Sequence, residues 1–304
     1  EMGRSHRMED ATGKVFDGKY NAFPKFIKVE GMKIVLDVSN GATYRVAPAV
    51  FSELGADVTV INDEPDGLNI NADCGSQYTE ALERKVTETG ASIGLAFDGD
   101  GDRLIAVDEK GRRITGDQIL FICAKVLKDR NCLLNDLLVS TVMSNIGLSI
   151  ACRKSGIRHH RSIVGDRYVL EDMQRLGAVI GGEDSGHMIF LDHHTTGDGI
   201  LTAIQLITAM INEGKPLSEL AAMMDIYPQA LMNVDVESKP EISTVSTIVD
   251  AIKTAEDELG KDGRVLVRYS GTQKMCRVMV EGPSDDVTCR LCEMIASAVK
   301  TSIG

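Results

Sequence analysis

The densest chemistry in this 304-residue sequence lies between Gly94 and Glu109, where Asp98, Asp100 and Asp102 alternate with Gly99 and Gly101 and are followed by Arg103. Carboxylates packed this closely repel unless something neutralises them. Glycines let the backbone turn sharply enough for alternate carboxylates to converge on one point. Hard oxygen donors at that density suit Mg²⁺ or Ca²⁺. Three aspartates also leave coordination positions that Mg²⁺ fills with water or phosphate oxygens. Arg103 is a cation aimed at an anionic ligand, so the loop points to phosphoryl chemistry. An EF-hand would place acids at Asp98, Asp100, Asp102 and Glu109, which this sequence does. It also needs glycine where Arg103 stands, and polar ligands where Leu104, Ile105 and Ala106 stand. A solvated acidic turn leaves the alternation and Arg103 unexplained.

Two further loops hold polar groups between glycines. In Gly181-Gly182-Glu183-Asp184-Ser185-Gly186-His187 a carboxylate, a hydroxyl and an imidazole suit a polyol such as a sugar, although a glycine-rich turn has the same composition. In Arg268-Tyr269-Ser270-Gly271-Thr272-Gln273-Lys274-Met275-Cys276-Arg277 the hydroxyls and backbone N–H groups of Ser270, Gly271 and Thr272 can meet a phosphate, with Arg268 and Arg277 as charge-assisted donors. The alternative is a long hairpin turn with surface arginines.

The elements that must position these loops follow from periodicity. Lys33–Val38, Asp57–Ile61 and Ser92–Phe97 read as strands. Val46–Leu54, stopped by Gly55, and Thr79–Thr89, stopped by Gly90, read as helices. Leu104–Val107 is the strand after the aspartate loop. Short buried strands alternating with helices predict a mostly parallel sheet covered on both faces. The rhythm repeats with helices at Thr115–Lys128, Gly147–Lys154, Asp166–Leu176 and Gly199–Asn212, and strands at Leu137–Val142, Arg158–Ile163, Ala178–Ile180 and Met188–Leu191. After a break at Asp225–Pro240, which holds Pro228 and Pro240 and within which Leu231–Val236 alternates as a strand, the grammar changes. A helix over Glu241–Leu259, a hairpin of Arg264–Arg268 with Cys276–Val280, and a helix from Ser284 predict a small α+β domain with an antiparallel sheet. The fold class expected is therefore α/β: two repeated α/β domains with mixed, mostly parallel sheets, then the α+β domain. The boundaries are 1–30 (a linker or helix remnant), 31–114, 115–228 and 229–304.

Composition narrows the partners. A net charge of −12 argues against nucleic acid or an anionic membrane as the main partner, while a local arginine cluster still permits a small phosphorylated ligand. Aromatic residues make up 4% and tryptophan is absent, which favours aliphatic α/β packing. Seven scattered cysteines suit a reduced, cytoplasmic protein, and Cys289 and Cys292 read as ordinary residues of the last helix, with no second pair to complete a zinc site. No apolar run or signal peptide predicts a membrane segment. The chain opens at Glu1 and runs straight into Arg4–Asp10, which reads as the interior of a longer protein.

The aspartate loop, the Gly-Glu-x-Ser-Gly-His loop and the Arg-x-Ser-Gly-Thr loop, in that order, resemble the α-D-phosphohexomutase superfamily over nearly the whole chain. Asp37–Ala42, Pro65–Asn71, Val164–Val169 and Thr195–Gly199 are similar to segments of its bacterial phosphoglucosamine mutase branch. Such enzymes have four domains, and this chain resembles the last three. The resemblance implies interconversion of glucosamine 6-phosphate and glucosamine 1-phosphate through a phosphoserine and a bisphosphorylated sugar, feeding cell-wall amino sugar synthesis. It implies Mg²⁺ on Asp98, Asp100 and Asp102, and Arg103 facing the transferring phosphoryl group. Glu183 and Ser185 would hold sugar hydroxyls, with His187 a proton carrier or sugar contact. Arg268, Ser270, Gly271, Thr272 and Arg277 would hold the non-reacting phosphate. Glucose or glucosamine 1,6-bisphosphate would be the activator or intermediate, and a homodimer of the full-length parent is compatible.

The sequence departs from the family twice. The serine loop, of Thr-x-Ser-His-Asn-Pro type, is not found; Ser5-His6 lies between Arg4 and Arg7 and lacks the Asn-Pro. The chain alone is therefore expected to be inactive. Gln273-Lys274 stands where the family usually has Glu-Pro, which puts the rigidity of that turn in question. The competing classes are a phosphoglucomutase or phosphomannomutase, and a non-catalytic sugar-phosphate-binding module.

Overall fold

A computed structural model describes residues 29–261, 263–271 and 273–304. The first sheet comprises β1 (Lys33–Asp37), β2 (Asp57–Ile61), β3 (Ile93–Phe97), β4 (Leu104–Asp108) and β5 (Arg113–Ile114), in the order β2-β1-β3-β4-β5. β1 is parallel to β2 and β3, whereas β4 returns antiparallel to β3. The crossovers are α1 (Val46–Glu53) and α2 (Glu80–Thr89). Val35 and Ala96 of the sheet pack with Leu82 and Val86 of α2. Every residue of β3 and β4 is buried, as strands covered on both faces require.

α3 (Gly116–Asp129) leads into the second sheet. It starts sharply because Thr115 and Gln118 satisfy each other's backbone N–H groups in a capping box. β6 (Leu137–Thr141), α4 (Ile146–Lys154), β7 (Arg158–Ser162), α5 (Asp166–Leu176), β8 (Ile180–Gly182) and β9 (Met188–Phe190) follow, with sheet order β7-β6-β8-β9. β6 is parallel to β7 and β8, and β9 is antiparallel to β8. The first four strands of the first sheet have the same order and directions, so the topology is used twice. α6 (Gly199–Glu213) and the short α7 (Leu217–Ala221) close this part.

The third sheet is antiparallel throughout, with β10 (Gln229–Asp235), β11 (Arg264–Tyr269) and β12 (Met275–Glu281) in the order β10-β12-β11. One face, bearing Val234, Val265, Val267, Cys276, Val278 and Val280, packs on α8 (Ser246–Leu259) and α9 (Asp285–Ile303). Cys289 is exposed and Cys292 buried on α9, and the seven cysteines are all free. The expected α/β, α/β, α+β series is thus the fold.

Four details differ from the sequence reading. The helix expected over Glu241–Leu259 starts only at Ser246. A 3₁₀ turn at Ile242–Thr244 precedes it, held by the Thr244 hydroxyl on the Glu241 carbonyl, and Val245 is extended. The strand expected at Ala178–Ile180 slips to Ile180–Gly182, because the Ala178 N–H is still closing the end of α5 onto the Met173 carbonyl. β5 and α7, of two and five residues, are too short to leave a period in the sequence. Residues 1–28, including Ser5-His6, lie outside the described residues. No helix among the described residues is long and apolar enough to cross a membrane.

The chain divides into two compact units. One comprises residues up to Ser144 with Cys152–Met224; the other joins Asn145–Ala151 to Asp225–Gly304. Within the second unit the fully buried Glu281 accepts from the Ile146 N–H at 3.1 Å, from Arg264 Nε at 2.5 Å and from Gln229 Nε2 at 3.2 Å. Asn145 clasps the Tyr227 backbone, donating to its carbonyl at 2.9 Å and accepting from its N–H at 3.0 Å. Burial pushes the Glu281 carboxyl above its usual range, and its donors oppose that shift. Glu281→Ala strands Arg264 and the Ile146 N–H, and should lower stability by about 3 kcal/mol. Glu281→Gln keeps an acceptor and should lose less. Thermal unfolding followed by circular dichroism checks the ranking; equal loss in both variants would contradict it.

Candidate functional site

The aspartate loop is the hairpin turn between β3 and β4. Its three carboxylates are close enough that ligand oxygens of Asp98, Asp100 and Asp102 lie within 4.8 Å of one another. Asp98 is buried and accepts the Arg103 N–H at 3.1 Å. Arg103 Nε stands 3.5 Å from Asp98 and 3.7 Å from Asp102. Both Arg103 Nε and Asp102 Oδ1 are buried without a hydrogen-bond partner. Burial first, then the neighbouring Asp102 carboxylate, push the Asp98 carboxyl up to about 7. A converging set of hard oxygens, one of them orphaned, fits a hard divalent cation.

Neighbouring segments leave this turn little freedom. The Ala42 N–H donates to the Gly99 carbonyl at 2.7 Å, and a Cβ at Gly99 would fall 2.6 Å from Asn71 Nδ2. Ser39 and Asn40 adopt left-handed conformations with φ of 50° and 49°. Asp37, which sequence reasoning placed only within a family-like segment, holds that strained corner. Its buried carboxylate accepts from the Ser39 N–H at 3.0 Å and the Gly75 N–H at 2.9 Å. Asn40 in turn ties to the backbone of Glu64 and Asn69, so Asp37–Ala42 and Pro65–Asn71 form one brace behind the aspartates.

The sugar-type loop is the equivalent hairpin turn, between β8 and β9. Glu183 Oε1 accepts the Gly165 N–H at 2.9 Å, which links it to the Val164–Val169 segment. Asp184, not singled out from sequence, accepts the Asp117 N–H at 3.1 Å in the first turn of α3. Ser185 is exposed. Gly186 has a φ of +94°, and a Cβ there would lie 2.3 Å from the Leu104 carbonyl oxygen. That closeness exists because the two hairpins pair: the Leu104 N–H donates to the Gly186 carbonyl at 3.1 Å, and Arg103 and His187 form an antiparallel bridge.

His187, expected as a proton carrier or sugar contact, lies between the two hairpins. Its Nε2 accepts the Gly197 N–H at 3.1 Å, so the ring proton is on Nδ1 and donates to Asp102 Oδ2 at 3.0 Å. With both nitrogens hydrogen-bonded and 5% of the residue exposed, the ring joins the two hairpins. Gly197 must be glycine here, since a Cβ would sit 2.4 Å from the imidazole. Beside the aspartates opens a cleft of about 290 Å³ lined by Thr43, Asp100, Asp102, Gly197, Asp198 and Ile200.

The third loop belongs to the other unit and is the turn between β11 and β12. Register places Arg268 directly opposite Arg277. Like charges facing across strands are destabilising, and Arg277 Nε is buried without a hydrogen-bond partner. Both features suit an anion. Ser270 is buried. Its N–H is spent on the Met275 carbonyl at 2.8 Å and its Oγ accepts the Gln273 N–H at 3.3 Å, which leaves the hydroxyl hydrogen to offer. These bonds brace the turn around Gln273-Lys274. Gly271 is exposed, and Thr272 lies outside the described residues.

The Asp98 proton gives a pH test. The metal-free fold holds it more tightly than the unfolded chain, whose ordinary value is 3.8. Stability without metal should therefore fall as pH rises from about 4 to about 7. An entering cation must displace that proton. Apparent Mg²⁺ affinity should rise about tenfold per pH unit below about 7 and level off above it. Calorimetric titrations on both sides of neutrality measure this; a pH-independent affinity would remove Asp98 from the site.

Comparison with known proteins agrees with this fold. Family models described as phosphoglucomutase/phosphomannomutase alpha/beta/alpha domain II, alpha/beta/alpha domain III and C-terminal domain match residues 16–111, 115–227 and 231–298. A phosphoglucosamine mutase of Syntrophobacter fumaroxidans is 66% identical over 303 residues, covering 100% of this chain and 68% of the relative. One from Syntrophus aciditrophicus is 60% identical with the same coverage. The chain thus spans about two thirds of the length of these relatives. Among solved structures, a phosphoglucomutase/phosphomannomutase family protein of Burkholderia thailandensis aligns with a TM-score of 0.77 at 23% identity, covering 98% of this chain and 66% of that one. The N-acetylphosphoglucosamine mutase of Aspergillus fumigatus, in complex with GlcNAc-6P and magnesium, aligns with a TM-score of 0.76 at 19% identity, covering 96% and 71%. Three successive family domains and relatives of this identity establish that the chain belongs to the phosphoglucomutase/phosphomannomutase family of phosphosugar mutases.

Proposed function

We propose that this chain carries the metal-, sugar- and phosphate-handling parts of a phosphoglucosamine mutase, which interconverts glucosamine 6-phosphate and glucosamine 1-phosphate. The observation that carries the reading is the aspartate turn fastened through Asp102 and His187 to the Glu183–Ser185 hairpin. The names of the 66% and 60% identical relatives support the amino sugar. On this reading residues 31–114 handle metal, 115–228 the sugar and 229–304 the remote phosphate.

Asp98, Asp100 and Asp102 would hold Mg²⁺, which when bound neutralises charge on a phosphoryl group. Arg103, whose Nε has no hydrogen-bond partner, turns its guanidinium to that phosphoryl group. Glu183, held by the Gly165 N–H, is oriented to accept sugar hydroxyls, and the exposed Ser185 adds a second polar contact. Arg268, Arg277, Ser270 and Gly271 grip the phosphate that does not react. A bisphosphorylated sugar, glucose or glucosamine 1,6-bisphosphate, must turn over between the two half-reactions, so both ends of it need a grip. The phosphoserine that opens the cycle has no counterpart among the described residues, and the chain assayed alone should not turn over substrate.

Two measurements on the full-length gene product test this. Its kcat/KM should be highest for glucosamine 6-phosphate among the glucosamine, glucose and mannose 6-phosphates; a preference for mannose 6-phosphate would move it to the phosphomannomutases. Arg268→Ala should weaken glucose 1,6-bisphosphate binding by about 1.5–3 kcal/mol, the scale of a charge-assisted hydrogen bond, and leave Mg²⁺ affinity unchanged. Unchanged sugar-phosphate affinity would remove the third loop from the phosphate site.

A further inference from the structure

We infer that Lys239 is a third cation of the phosphate-binding turn and takes part in holding the non-reacting phosphate of the substrate, an inference that rests on reading the β11–β12 turn as that site. Lys239 lies in the connector between β10 and α8, thirty-one residues before Ser270 in sequence, and nothing in its local pattern marks it. The fold nevertheless brings it to the turn. The Val236 N–H donates to the Lys274 carbonyl at 3.1 Å, which aligns the connector with the hairpin end. Lys239 Nζ then donates to the Ser270 carbonyl at 2.6 Å.

That bond orients the ammonium without neutralising it. A carbonyl takes one of its three N–H donors and leaves two, with the full charge. Among the described residues neither Lys239 nor Arg268 nor Arg277 forms an ion pair with a carboxylate. The Arg268–Arg277 pair already faces like charge across the strands. A third cation fastened to the carbonyl of the same turn adds to the repulsion in the empty state. The arrangement becomes favourable when a dianion is present to share all three. Ser270 is the common element: its carbonyl holds Lys239, its Oγ accepts the Gln273 N–H, and its hydroxyl hydrogen is directed by neither bond.

Calorimetric titration of residues 1–304 with glucosamine 6-phosphate, at low and at high salt, tests the assignment on Lys239→Gln, Lys239→Arg and Arg268→Ala. Lys239→Gln can still donate to the Ser270 carbonyl but has no charge. It should bind about tenfold more weakly, the worth of one charge-assisted contact, and its affinity should fall less steeply with salt than that of the parent. Lys239→Arg, which keeps the charge, should retain most of the affinity and the parent's salt dependence. If Arg268→Ala weakens binding while Lys239→Gln matches the parent, the turn is the phosphate site and the proposal for Lys239 fails. If Lys239→Gln and Lys239→Arg weaken binding equally with the parent's salt dependence, Lys239 only ties the turn and the proposal also fails. If the parent chain shows no saturable binding, the phosphate reading of the turn falls, and this inference with it.

Discussion

The first unit's chemistry depends on one imidazole. His187 donates to Asp102 and accepts from Gly197, so the aspartate turn and the loop after β9 are set at hydrogen-bond spacing around a single ring. A neutral imidazole has one donor and one acceptor, and here both are used. The consequences spread outward. Gly197 can bear no side chain, Gly186 must accept a conformation and a closeness that only glycine tolerates, and the Gly199 N–H reaches the Gly101 carbonyl at 2.9 Å. The same compaction that fixes the ring also squeezes the carboxylates together. Burial first, and then their mutual repulsion, raise the proton affinity of Asp98.

The second unit resolves a different tension. Its sheet has one face of branched aliphatic side chains for two helices, and another on which Arg264, Arg268, Arg277 and Glu281 stand. Glu281 cancels Arg264 in the interior, because a buried charge without a partner is costly. Among the described residues no such partner is built in for Arg268 and Arg277 toward the turn. One sheet face thus grades from a closed ion pair to an open cationic end within a few residues.

Much of this was legible in the sequence, for identifiable reasons. Glycines at helix ends, such as Gly55 and Gly90 at positive φ, mark elements directly. The aspartate turn announced itself because three carboxylates sit on one short segment. What escaped was whatever depends on pairing between distant segments. His187 and Asp102 are 85 positions apart, and a histidine between glycine and methionine looks the same whether it faces a ligand or a neighbouring carboxylate. Asp37 and Asp184 were missed likewise, since a carboxylate that serves backbone N–H groups has no spacing signature. The slip of β8 and the late start of α8 came from competing local hydrogen bonds at Ala178 and Glu241, which a hydrophobic pattern does not register.

The two sheets of the first unit share one strand order, and the aspartate turn and the Glu183–Ser185 turn occupy the same place in it, after the third strand. A structure made twice and then joined at its equivalent corners can divide labour. On the proposed reading, one corner would serve the cation and the phosphoryl group, and the other the sugar. Substitutions in the second corner can then change what is recognised while the first goes on unaltered. His187 is the exception: it is the seam between the copies, where the freedom of one ends at the needs of the other.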